Sequence, residues 1–323
     1  MTAPVAPLTT TPPTYTEAEL APIVRYDVII SAIVAAALAE IIDFWPLLNP
    51  FDIDGTAGRW IDPVLDSVMR QRERSRAAAI SFYDEWRAVR IGEDVDPAPR
   101  PIIRENDGRE AVRRQLVSAG PANMKAKTRA AKGLDPERQE EIIRRAARVA
   151  LVDFMGSTTR AVMDADREAT FEMQQLDEMA YGFQRVLGNK KQPCAFCAML
   201  ASRGPAYNSR QSAERVVNAS AKRPVGSSYH DNCQCRAVPA FSSDEPWFGN
   251  NLELRLAWDS VASRSADPAL RWRRYWEGRD LEDGRSTEEA RRQRRARESG
   301  QSGTGVQGAQ EAGGSGEGAS GEG

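Results

Sequence analysis

The chain has 323 residues, 41% hydrophobic and 28% charged, enough to bury a substantial core in about two domains. Its 44 basic and 46 acidic side chains leave a formal charge of -2, so no global field draws it to nucleic acid or an anionic membrane. Any such contact has to come from a local cluster of charge.

Residues 1–14 hold four prolines and five threonines and read as a disordered or loosely attached arm. A helix is expected to start behind Thr16, which can cap it with Glu17 and Glu19 in the first turn, and to run to Trp45, where Pro46 stops it. Its most apolar stretch, Val28 to Ala39, falls short of the roughly twenty residues that a spanning helix needs, so a buried or partner-facing helix is expected and no membrane span. After a loop from Asn49 to Gly58, a second helix is expected over Ile61–Val89, with Val64, Leu65, Val68, Ala79, Phe82, Tyr83 and Trp86 facing the core. A third helix is expected over Asn106–Ser118, ended by Gly120 and Pro121.

The next helix begins with Asp135 as cap and Pro136 at its first position, and Ile142, Ile143, Ala146, Val149, Ala150 and Val152 lie on or near one stripe. Gly156 to Thr159 should interrupt or bend it, and Arg160 to Leu187 should continue helical. The fold class is therefore mainly α. A helical domain over 15–187 is followed by a small irregular Cys/His module over 188–240 and a Trp-rich helical segment over 241–280 with Trp247, Trp258, Trp272 and Trp276 as packing anchors. A tail over 281–323, first charged and then Gly/Ser-rich, should be disordered. Arg291, Arg292, Arg294, Arg295 and Arg297 in that tail can touch DNA phosphates or an acidic partner, although charge runs are usually solvated.

All four cysteines and the only histidine fall in one window, Pro193-Cys194-Ala-Phe-Cys197 and then His230-Asp-Asn-Cys233-Gln-Cys235. A Cys-x2-Cys pair places two thiolates on one cation, and His-x2-Cys-x-Cys returns further ligands from the far end of a loop of about thirty residues. The expected cofactor is a structural zinc ion held by four of Cys194, Cys197, His230, Cys233 and Cys235. Which of the five is omitted stays open. Two disulfides would suit an exported chain, but the opening segment is Pro/Thr-rich rather than basic then apolar. Pro-Cys-x-x-Cys is also half of the zinc-deaminase signature, yet the upstream His-x-Glu that supplies its proton shuttle is missing. No His-Glu-x-x-His supports a zincin-type protease.

Other chemistry finds little footing. Ser-His and Cys-His catalysis both need a histidine free to act as base, and the only one lies in the cluster. No phosphate-binding glycine loop is present. Paired carboxylates at Glu140 and Glu141, Asp164 and Asp166, and Glu288 and Glu289 read as solvated helix faces, and a Ser-Lys protease leaves no trace in a single sequence. No catalytic residue is assigned.

The stretch from Arg185 through Cys194 and Cys197 to Gly204, with His230, Cys233, Cys235 and Pro239, resembles the MuF-like minor head proteins of tailed bacteriophages, in the form found in phages of actinobacteria. The specific likeness covers residues 185–239. It implies a minor capsid or head morphogenesis protein, assembled in the host cytoplasm and carried in the head interior near the portal. Portal protein and scaffold or major capsid protein would be its partners, and DNA packaging or ejection the process it assists. Related proteins are also labelled capsid maturation proteases, which is the alternative reading, but a serine-type head protease generally needs a Ser-His pair that this chain has no spare histidine to supply.

Overall fold

The computed structural model describes residues 11–92, 94–102, 108–188, 193–207, 233–263 and 265–278. His230, the five arginines from Arg291 to Arg297, most of the Pro/Thr arm and the expected disordered tail lie outside the described residues. The fold is mainly helical, with one small two-stranded sheet among the described residues.

Helix α1 (Glu17–Phe44) starts at the expected cap: Thr16 Oγ1 accepts the Glu19 amide at 3.3 Å, and the Glu19 carboxylate accepts the Thr16 amide at 2.8 Å. A short turn at Trp45–Leu47 ends it around Pro46. Helix α2 (Ile53–Ile91) begins earlier than the sequence suggested, because the Asp52 carboxylate accepts the Gly55 amide at 3.0 Å and caps it. All seven core positions assigned to this helix are buried.

Helix α3 (Arg109–Val117) does not stop at Gly120 and Pro121. The chain passes through them in one widened turn, Ser118–Ala122, into α4 (Asn123–Thr128). A widened turn accommodates the proline without a normal ladder bond. Gly120 is needed for close approach, since a Cβ there would lie 2.8 Å from Trp60 and 3.1 Å from Phe154.

Helix α5 (Pro136–Leu176) is capped by Asp135, whose carboxylate accepts the Arg138 amide at 3.0 Å. The expected interruption at Gly156–Thr159 is absent. These small residues are buried and let a neighbour approach: Gln115 Nε2 donates to the Ser157 carbonyl at 3.0 Å. On the expected apolar stripe, Ile143, Ala146 and Ala150 face inward, whereas Val149 and Val152 are exposed. The helix ends eleven residues before Leu187, at Leu176. There Asp177 turns the chain, its carboxylate held by Arg87 at 2.8 Å and the Tyr83 hydroxyl at 3.0 Å.

The segment expected to stay helical instead forms strand β1 (Gly182–Val186), antiparallel to β2 (Arg236–Ala240), with Gly182 opposite Ala240 and Val186 opposite Arg236. Between them lies α6 (Ala195–Ala201), and after them come α7 (Gly249–Val261) and α8 (Pro268–Glu277). The end of the arm is not loose. Trp247 donates its amide to the Pro13 carbonyl at 2.8 Å, and the Tyr15 amide donates to the Trp247 carbonyl at 3.1 Å.

The main core lies between α1, α2 and α5, around Tyr26, Ile30, Val34, Ile41, Trp60, Val64, Val68, Phe82, Trp86 and Phe154. Each large side chain buried there contributes about 1.5–3 kcal/mol. A second core, around Phe171, Phe183, Met199, Leu200, Leu254, Trp272 and Trp276, joins β1, α6, α7 and α8. By length and composition alone, Glu17–Leu47 meets the requirement for crossing a membrane, because its apolar run extends well beyond Val28–Ala39. In this fold one stripe of α1 is core, while Val24, Val28, Ile29 and Ile42 on its other side are exposed.

Asp166, read from the sequence as a solvated carboxylate, is buried and accepts a hydrogen bond from the Tyr26 hydroxyl. Beside it Asp27 pairs with buried Arg236, whose guanidinium lies 4.8 Å over the Tyr26 ring. Burial pushes the Asp166 carboxyl up to about 7, against a smaller opposing pull from Arg167. A carboxyl raised on folding contributes its stability below its unfolded pKa, near 3.8, and loses it as pH rises through about 7. Replacing Asp166 with asparagine should therefore leave stability unchanged relative to wild type near pH 3.5. It should raise stability near pH 8, as read from denaturant midpoints across that range.

Candidate metal centre

The β1–β2 pairing brings the two halves of the cysteine pattern together. Val186 pairs with Arg236, so the chain leaving β1 through Leu187 and Gly188 runs beside Cys233–Cys235 entering β2. Gly188 makes this approach possible: a Cβ there would lie 2.6 Å from both the Cβ and the carbonyl oxygen of Gln234. On the other side, Cys194 caps α6, its sulfur accepting the Cys197 amide at 3.3 Å. Two tryptophans fix that cap from below, Trp272 Nε1 donating to the Ala195 carbonyl at 2.8 Å and Trp276 Nε1 to the Pro193 carbonyl at 2.6 Å. The Trp-rich segment thus anchors by packing, as its spacing suggested.

Cys197, Cys233 and Cys235 are buried, and their sulfurs lie within 4.8 Å of one another. Cys194 is half-buried and packs against the other three. The Cys197 and Cys233 sulfurs are 3.8 Å apart, and all four thiols are free. A disulfide would need about 2.05 Å. By contrast, a tetrahedron of thiolates at about 2.3 Å from a central ion has edges of about 3.8 Å. The buried cluster can hold a metal ion. His230, the remaining candidate, lies outside the described residues.

Two buried arginines surround the sulfurs, and neither was legible as a site residue. Arg185 on β1 donates from Nη2 to the Cys197 sulfur at 3.4 Å. Arg167 on α5 donates to the Cys233 carbonyl at 2.7 Å and to the Cys235 carbonyl at 3.0 Å, and its other nitrogen meets Asp164 at 2.8 Å. The spacing of the sequence carried no ligand signal for either: both fall in the stretch expected to be helical, and Arg185 entered only as the first residue of the MuF-like stretch.

The thiols share their protons unequally. The Cys194 thiol pushes Cys197 up, but hydrogen bonds from Cys233 and Cys235 outweigh it and hold Cys197 down to about 6. A hydrogen bond from Cys197 holds Cys194 down to about 7. Cys235 is pushed up by hydrogen bonding to Cys197 and Cys233 and by burial. The lowering at Cys194 and Cys197 favours the thiolate, which is the ligating form.

Gly188→Ala should force the Gln234 backbone away and open the cluster, at a cost of about 1–3 kcal/mol. The change should appear as a lower melting temperature together with faster reaction of Cys233 and Cys235 with a thiol reagent. Unchanged thiol reactivity would show that the close approach does not govern the cluster.

Among comparisons with known proteins, the VG15 protein family matches residues 17–253, which takes in α1 through β2 and the start of α7. Neither a curated protein nor a solved structure matches the chain. The match covers well over half of the sequence, including the helical core and every cysteine, and the chain therefore belongs to the VG15 protein family, a family of phage proteins.

Proposed function

We propose that the protein is a minor capsid, or head morphogenesis, component of a tailed phage, internal to the head and associated with the portal, with one structural zinc ion in the cysteine cluster. The observation that carries this reading is the VG15 match across the helical core and both cysteine blocks, which accords with a virion-associated protein. The MuF-like pattern of Cys194, Cys197, His230, Cys233 and Cys235 supports the finer reading of a place in the head. The role in packaging or ejection rests on that likeness. Zinc fits the cluster through its thiol donors and their spacing, and a structural ion in a small module contributes on the order of 10 kcal/mol.

The outer side of α1 supports a role in assembly. Val24, Val28, Ile29 and Ile42 are 49–66% exposed, and Ala32, Ala35 and Ala39 lie exposed between them. A helix that leaves this much uncharged apolar surface in water has the character of a docking face.

Quantitative mass spectrometry of purified virions tests the reading. The protein should be present at low abundance relative to the major capsid protein and should stay with the portal when heads are gently disrupted. Val28→Asp should abolish that retention while leaving the melting temperature within about 1 °C, because an exposed substitution changes stability little. Absence from mature particles, or defined cleavage of capsid or scaffold protein by the purified chain, would favour a maturation protease instead.

A further inference from the structure

We infer that the ion is held by four thiolates, those of Cys194, Cys197, Cys233 and Cys235, with His230 outside the ligand set and with Arg185 and Arg167 as the buried cations that balance the site. The inference rests on the zinc reading above and goes beyond it by naming the ligands and their charge partners.

Four sulfurs close a tetrahedral site, and a structural zinc ion takes no fifth protein ligand. Cys197 and Cys233 already stand at the edge length of such a tetrahedron, 3.8 Å, and Cys235 lies within 4.8 Å of both, while Cys194 packs against the three from outside that spacing and has to close on them to complete the site. Cys194 is the described residue that can supply the fourth sulfur, and its backbone is anchored beside the cluster. Its sulfur receives the Cys197 amide, and the backbone on either side of it is held by Trp276 on Pro193 and Trp272 on Ala195.

A divalent ion with four thiolates is a dianion, whereas three thiolates and a neutral imidazole carry a single negative charge. Burying a dianion away from water is costly unless cations and hydrogen-bond donors surround it. Arg185 is fully buried and donates directly to the Cys197 sulfur. Arg167 is 3% exposed and clamps the carbonyls of Cys233 and Cys235, which puts its guanidinium beside the backbone of both ligands. Asp164 takes part of the Arg167 charge at the rim, and Arg185 is the one of the two that touches a sulfur. Both arginines act through ligands and are positioning residues.

The test uses the full-length reduced chain loaded with cobalt(II) in place of zinc, and reads metal stoichiometry and the sulfur-to-metal charge-transfer band. His230→Ala should retain one ion per chain with the band undiminished, whereas Cys194→Ser should lose the ion or a clear part of the band. Arg185→Met should weaken binding about 10- to 100-fold in competition with a chelator, and Arg185→Lys should recover most of that loss. X-ray absorption of the unsubstituted zinc protein needs no variant and should count four sulfur neighbours.

A count of three sulfurs and one nitrogen, or loss of the band in His230→Ala with retention in Cys194→Ser, would overturn the ligand set while leaving the zinc reading intact. Wild-type protein that takes up neither zinc nor cobalt would overturn both. Equal affinity of wild type and Arg185→Met would remove the charge role.

Discussion

The antiparallel pairing of Gly182–Val186 with Arg236–Ala240 closes a loop of about fifty residues, and both the cysteine cluster and its attachment to the helices depend on that closure. Five residue pairs in a two-stranded ribbon are marginal on their own. The ribbon persists because it is buried on both faces. Strand alternation sends Val238 into the core of the long helices and Ala237 into the second core with Trp272 and Trp276. Trp86 of α2 adds a hydrogen bond from Nε1 to the Pro239 carbonyl at 2.9 Å.

The same strand carries the charge link. Arg236 follows Cys235 directly and reaches Asp27 and the Tyr26 ring on α1, while Tyr26 donates to Asp166 on α5. Arg167, one residue after Asp166 on α5, grips the carbonyls of Cys233 and Cys235. Neighbouring residues on one helix thus hold α1 on one side and the cysteine segment on the other. Moving the cluster would break buried polar contacts in the helical core, and a broken buried ion pair costs several times what an exposed one does. An ion among the thiols would therefore fix the arrangement of α1 and α5 as well as the loop around it.

Much of this was legible in the sequence where local chemistry and tertiary need agree. Thr16 with Glu19, and Asp135 with Pro136, mark helix starts because caps act through their own backbone neighbours. The cysteine window stood out because its spacing has one dominant chemical use. Strand β1 was hidden: Gly182-Phe-Gln-Arg-Val186 is too short to show alternation, and its polar Gln184 and Arg185 are buried by partners distant in sequence. Gln184 receives the Phe248 amide and the Asn251 side chain, and Arg185 meets Cys197. Asp166, Arg167 and Arg236 were hidden for the same reason, since a charge reads as solvated until its buried partner is known. At Gly120-Pro121 the local signal was real, but packing against Trp60 and Phe154 carried the helix through it.

The proposed ion in the cysteine cluster would staple the loop and so close the fold. Native mass spectrometry of the full-length chain, purified under reducing conditions without added metal, addresses it directly. One zinc ion per chain is expected, removed by a strong chelator with simultaneous broadening of the charge-state distribution as the structure opens. A metal-free mass with four reduced thiols and a compact distribution would contradict it.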